Sequence, residues 1–199
     1  MKTRRVIMGW LLLSSMTITL SAQDAAKYEI ESAIIKKEIT MMGQKLNAIW
    51  YIDEFGRKES VEITIKNGIA QGVDKHIRTL MEGTSVVTVD LDMKVGNRME
   101  LPEKPVNYLQ LTPEITEKYN IQENGEEEIA GKKCRKYSLE LSQMGQTMQV
   151  KAWVWKGLVL KSETSAGSMA VVVETATEIE ENASVSDDKF ITPAGAVIK

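Results

Sequence analysis

Apolar and polar side chains alternate with a period of two along most of this chain after residue 27, and no other feature constrains its fold so tightly. Around Lys45–Asp53, Leu46, Ala48, Trp50 and Ile52 share one side, opposite Lys45, Asn47 and Asp53. Val61, Ile63 and Ile65 alternate with Ser60, Glu62, Thr64 and Lys66, and Asn67-Gly68 then reads as a hairpin turn whose central residues want positive φ. The longest run, Thr84–Val95, places Val87, Val89, Leu91, Met93 and Val95 on one face of a single strand. Further strands read over Lys132–Leu141, Thr147–Trp155, Leu158–Glu163 and Met169–Ile179, with turns at Ala130-Gly131 and Lys156-Gly157. In Tyr28–Met42 the residues Tyr28, Ile30 and Ile34 keep one register while Ile35, Ile39 and Met41 keep the other. That predicts a bulge near Ile34-Ile35. The tail around Lys189–Ile198 adds a short edge strand, broken at Pro193.

Helix is scarce. Thr112-Pro113-Glu114 has the threonine cap, first-turn proline and acid of a helix start, and that helix runs only to about Tyr119. Leu101–Pro105, with two prolines, reads as a loop. Seven or more strands with one apolar face each make an antiparallel sheet that one short helix cannot cover. The sheet must therefore curl into a barrel or half-barrel, or split into a sandwich. A curled sheet encloses a packed interior or a cavity for an apolar guest. Met41, Met93, Met148 and Met169 suit an adaptable pocket, and equally suit the irregular gaps of a solid core. The candidate cavity lining is Trp50, Val89, Leu91, Met93, Met148, Val150 and Val171. Trp153 and Trp155 fall on the polar side of their strand. There they mark a contact surface or, more plainly, pack against the Leu101–Pro105 loop or the short helix.

The first 22 residues follow another rule. Lys2, Arg4 and Arg5 precede the apolar stretch Val6–Leu20, which ends in Ser21 and Ala22, the pattern of a secretory signal cleaved near Ala22. A largely apolar stretch of 15 residues falls short of the roughly 20 that a spanning helix needs, and no cysteine follows it to carry a lipid anchor. The expectation is a single β-rich domain over residues 23–199, exported to the periplasm, with secretion as the alternative. Without those three positive charges the 25 basic and 28 acidic residues leave a net of −6, which disfavours nucleic acid.

Chemistry-bearing patterns are weak. Cys134 is the only cysteine and His76 the only histidine, far apart in sequence; a thiol nucleophile would need them together. Asp90 and Asp92 lack the glycine turn and closing glutamate of a calcium loop. Glu126-Glu127-Glu128 faces Lys132-Lys133 across a hairpin, where cross-strand ion pairs are expected. No phosphate loop, zinc spacing or serine elbow is present. The sequence points to a non-enzymatic protein with no cofactor and no metal.

Three motifs bring in a resemblance: the strand Ile129-Ala130-Gly131-Lys132-Lys133-Cys134-Arg135-Lys136-Tyr137, the hairpin Trp153-Val154-Trp155-Lys156-Gly157, and the closing Phe190-Ile191-Thr192-Pro193-Ala194-Gly195. These are similar to uncharacterised exported envelope proteins. The strand layout as a whole more distantly resembles the lipoprotein carrier (LolA/LolB-like) superfamily. That resemblance implies a curved antiparallel half-barrel with one or two short helices, whose concave apolar face holds acyl chains. The carriers begin with a helix and have helical lids, whereas here Tyr28 enters a strand almost at once. Two functions follow. One is a protein that binds a lipid or acyl chain in the concavity. The other is an interaction module with a packed core, taking an envelope protein partner at a sheet edge or the Trp153/Trp155 surface.

Overall fold

The computed structural model describes residues 26–41, 43–66, 74–143, 146–167 and 169–199; the signal-like start and the Asn67-Gly68 turn lie outside them. Twelve strands form: β1 (Ala33–Met41), β2 (Gln44–Asp53), β3 (Lys58–Ile65), β4 (Lys75–Glu82), β5 (Ser85–Asp90), β6 (Val95–Glu100), β7 (Gln122–Ile129), β8 (Lys132–Gln143), β9 (Gln146–Trp155), β10 (Leu158–Ala166), β11 (Met169–Glu181) and β12 (Val197–Ile198). They make one open, curved sheet in the order β12-β6-β5-β4-β3-β2-β1-β11-β10-β9-β8-β7. Neighbours are antiparallel except for β12, which pairs parallel to β6. This is the mainly β half-barrel expected from the resemblance, and the β12 edge strand follows Pro193 as the sequence predicts.

Tight turns set the register. Ala130 and Gly131 both take positive φ, as do Lys156 and Gly157, the conformation that matches the twist of two antiparallel strands. The ion pair of Lys133 with Glu126 at 2.6 Å stands on the hairpin where the sequence expects it. The helix α1 (Pro113–Lys118) starts where the cap predicts, the Thr112 hydroxyl accepting the Ile115 N–H at 3.3 Å.

Three local expectations are corrected. Thr84–Val95 is not one strand. Asp90 accepts the backbone N–H groups of Asp92 and Met93 through its carboxylate at 3.0 and 2.9 Å, Lys94 turns left-handed at φ 55, and β6 returns antiparallel to β5. An acid that caps a turn leaves the alternation undisturbed, so the pattern reads straight through it. The irregularity of the first strand is not at Ile34-Ile35. Tyr28 and Ile30 belong to the bent segment before β1, β1 pairs with β2 without interruption, and the register shift with β11 falls between Lys36 and Lys37. Trp153 does not pack on the Leu101–Pro105 loop or the helix. It is 2% exposed, beside Cys134, Leu158 and Leu160, and its Nε1–H donates to the Glu127 carboxylate at 2.6 Å.

The crossover of residues 101–121 carries the chain from β6 to β7 at the far edge. Val106, Tyr108, Leu111, Ile115 and Tyr119 pack on Tyr137, Leu139, Ala152 and Val154. Since Trp153 alternates with Ala152 and Val154, β9 is packed on both faces.

Candidate ligand-binding face

Residues paired directly across antiparallel strands lie on the same face. The pairs Ile39↔Leu46, Lys37↔Ala48, Ile35↔Trp50, Ala48↔Ile63, Trp50↔Val61 and Met41↔Val172 thus build one face across β11, β1, β2 and β3. Ile39, Ala48 and Val61 are buried there, with Leu46, Trp50, Ile63, Met81 and Val172 packed around them. Every member of this cluster belongs to the sheet itself. Among the described residues, the crossover lies instead over β8 and β9. By register the face continues through Ile77 to a depression of about 330 Å³, lined by Ile77, Thr88, Asp90, Val95, Gly96, Asn97 and Lys199.

The opposite face of β2–β4 is covered. Arg78 donates to the Asp188 carbonyl at 2.7 Å and pairs with Glu62 at 2.7 Å. Lys189 reaches the same carboxylate at 3.1 Å and sits 4.7 Å over the Tyr51 ring. Burial pushes the Glu62 carboxyl up, but the bonds from Arg78 and Lys189 outweigh it and hold the group below its ordinary value.

Charge enters this apolar face at Lys37 and Glu174, with Glu59 at its end. Lys37, its side chain 5% exposed, lies between Ala48 of β2 and Ala176 of β11. Its ammonium stands 4.0 Å above the Trp50 ring and 3.6 Å from the Glu174 carboxylate. Trp50 and Glu174 are its diagonal neighbours, two residues from Ala48 and Ala176. Burial pushes the Lys37 amine below its ordinary range, and Glu174 and then Glu59 only partly restore it.

The end of this face is closed by the segment before β1. Lys27 pairs with Glu59 at 2.6 Å and the Tyr28 hydroxyl donates to it at 2.9 Å. Burial, then the Glu59 charge, pushes the Tyr28 phenol well up. The segment bridges two turns: the Phe55 carbonyl accepts from Lys27 N–H at 3.0 Å, and the Lys156 carbonyl accepts from Glu29 N–H at 3.1 Å.

The candidate lining residues are not brought together. Trp50 lies on the open face. Met148 and Val150 share that face by register but sit in β9, beyond β1, β11 and β10, where Val150 joins the cluster under the crossover. Val89 pairs with Arg78 on the opposite face and is fully buried. Leu91 and Met93 stand in the β5–β6 turn, Met93 exposed. Val171 lies in β11, outside the described side chains. Sequence reasoning does not single out Lys37, Ile39, Ala48 and Val61, which the structure places together on this face. The register of Ile35, Ile39 and Met41 passes through Lys37, and a charge on an apolar register is the signal that points to it.

Cys134 is fully buried and burial pushes its thiol up to about 11, away from thiolate. His76 hydrogen-bonds Asp92 at 3.2 Å on β4, and six strands lie between it and Cys134 on β8. No group of three or more metal-ligating side chains stands among the described residues.

No family model matches this sequence, and no curated protein matches it. Solved structures match its fold. An uncharacterised conserved protein of Thermus thermophilus superposes with a TM-score of 0.57 at 12% identity, over 86% of this chain and 91% of that one. MucB superposes with a TM-score of 0.52 at 14% identity, over 85% of this chain and 59% of the MucB chain. The complex of Pseudomonas aeruginosa MucA and MucB gives 0.52 at 12%, covering 85% and 58%. At these identities the likeness is one of fold.

Proposed function

We propose that this chain, cleaved near Ala22 and read as one domain over residues 23–199, is an exported envelope protein. In this reading it holds a lipid or acyl chain on the open face of its half-barrel, without enzymatic chemistry. One observation carries the proposal: the apolar cluster around Ile39, Ala48 and Val61 is built from sheet residues alone, while the crossover packs over β8 and β9. Each buried CH₂ contributes about 0.8 kcal/mol, so a chain of a dozen grosses about 10 kcal/mol before ordering costs.

Native mass spectrometry of the protein from its own compartment, beside an organic extract, tests the reading; about one lipid per chain is expected. A brominated long-chain fatty acid then locates the guest. It should quench Trp50, and Trp50→Phe should remove the larger part of the quenching, since Trp50 packs with Ile39, Ala48 and Val61. Apo protein from its own compartment together with unquenched Trp50 would overturn the proposal. The outcome would then favour a protein partner, as in the MucB fold, which is solved in complex with MucA.

A further inference from the structure

An acyl-binding face has no need of a charge, and this one has a lysine at its centre. An ammonium carries three donors. Here one side of it is occupied by the Trp50 ring at 4.0 Å and another by Glu174 at 3.6 Å, an ion-pair contact longer than a hydrogen bond. The Lys37 ammonium stands 3.6 Å from its carboxylate, whereas Lys27, Lys132 and Lys189 each donate to theirs at 2.5 to 3.1 Å. A lysine is almost never this buried unless well paired, because desolvation of its charge is costly. Glu174 is the more open partner, with 27% of its side chain exposed, so it can turn to water while Lys37 stays in place. Glu59, the other carboxylate acting on Lys37, is already engaged by Lys27 and Tyr28.

We propose that Lys37 is the head-group anchor of the open face: it takes the carboxylate or phosphate of a single-chain anionic amphiphile in exchange for Glu174, with the acyl chain laid along Ile39, Ala48 and Val61. The proposal rests on the acyl-binding reading above and narrows it to anionic guests. The flanking alanines fit this role, since larger residues at 48 or 176 would fill the space beside the lysine stem.

Titration calorimetry with dodecanoate, dodecyl phosphate and neutral dodecanol, on the mature native protein and two variants, tests it. The native protein should bind the better of the two anions on the order of 10- to 100-fold more tightly than the alcohol, as one charge-assisted hydrogen bond implies. Lys37→Met should bring the anions down to the alcohol's affinity and melt no lower than the native protein. Glu174→Gln removes the competing carboxylate at a partly open position and should tighten anion binding. It answers the question even if Lys37→Met fails to fold. Equal binding of anions and alcohol by native protein, or anion binding not tightened by Glu174→Gln, would overturn the anchor and leave the acyl reading intact. No binding of any of the three would overturn the acyl reading and the anchor with it.

Discussion

Replacing Gly157 by alanine tests how the end of the half-barrel is closed, because a second glycine supplies the control. Gly157 and Gly131 hold the same place in the β9–β10 and β7–β8 hairpins, at φ +84 and +73. A Cβ at 131 meets nothing within 4 Å, whereas one at 157 would stand 2.4 Å from the Lys27 carbonyl and 3.0 Å from Leu109. Gly131→Ala should therefore cost only left-handed backbone strain, about 1–2 kcal/mol. Gly157→Ala carries the same strain and must also push the 27–32 segment off the turn. That sacrifices the bond from Glu29 N–H to the Lys156 carbonyl, worth about 1 kcal/mol, and loosens packing against Leu109. A total of about 3 kcal/mol follows, or roughly 6–12 °C in melting temperature for a chain of this length. Urea denaturation of both variants measures the difference, and hydrogen exchange at the Glu29 amide locates it. Equal losses, with Glu29 protected in both, would refute the claim that Gly157 exists to seat the segment before β1.

Trp153→Ala should cost about 3–5 kcal/mol and Trp153→Phe about 1–3, the latter through the bond lost to Glu127, read by denaturation. Acid should destabilise the clasp of the C-terminal segment. The Glu62 carboxyl is held below its ordinary value, so its contribution is present above the unfolded pKa and is lost as pH falls through the lower folded one. Glu62→Gln should therefore lose less stability than the native protein between about pH 5 and pH 3, and parallel losses in the two proteins would count against the clasp.

The strands are legible because alternation is a local property. Leu46, Ala48 and Trp50 fall together on one face as their spacing predicts, and the Thr112 cap starts its helix on schedule. The sequence misleads where the answer depends on what lies across a face. Trp153 sits among Gln149, Lys151 and Trp155 in the pattern and reads as outward. Yet it is enclosed, with Lys136 and Lys161 at 4.8 and 4.1 Å over its ring and Glu127 on its nitrogen. Alternation tells which residues share a face and nothing of how many faces are covered. Leu91 and Met93 mislead for a different reason: Asp90 turns the chain through its own carboxylate, and an aspartate on a strand's polar side looks the same as one that ends it.

The two halves of the sheet divide the work, and the division follows from where the two long connections lie, residues 101–121 from β6 to β7 and residues 182–196 from β11 to β12. Residues 101–121 must travel from β6 to β7, and they spend their apolar side chains on β8 and β9. Strand β9 is thereby packed on both faces, which makes this half a scaffold and makes Trp153 a matter of stability. The C-terminal segment covers the opposite side of β2–β4 through Arg78, Glu62 and Lys189. Around Ile39, Ala48 and Val61 the face of β11, β1, β2 and β3 is packed by sheet residues alone, and there the sequence places Lys37 between two alanines. A sheet selected for stability alone would put an aliphatic side chain there, since replacing a buried charge with a packed apolar residue is often neutral or stabilising. The lysine is thus the residue on this face that packing does not explain. Substitutions there should separate binding from folding, as substitutions at Trp153 cannot.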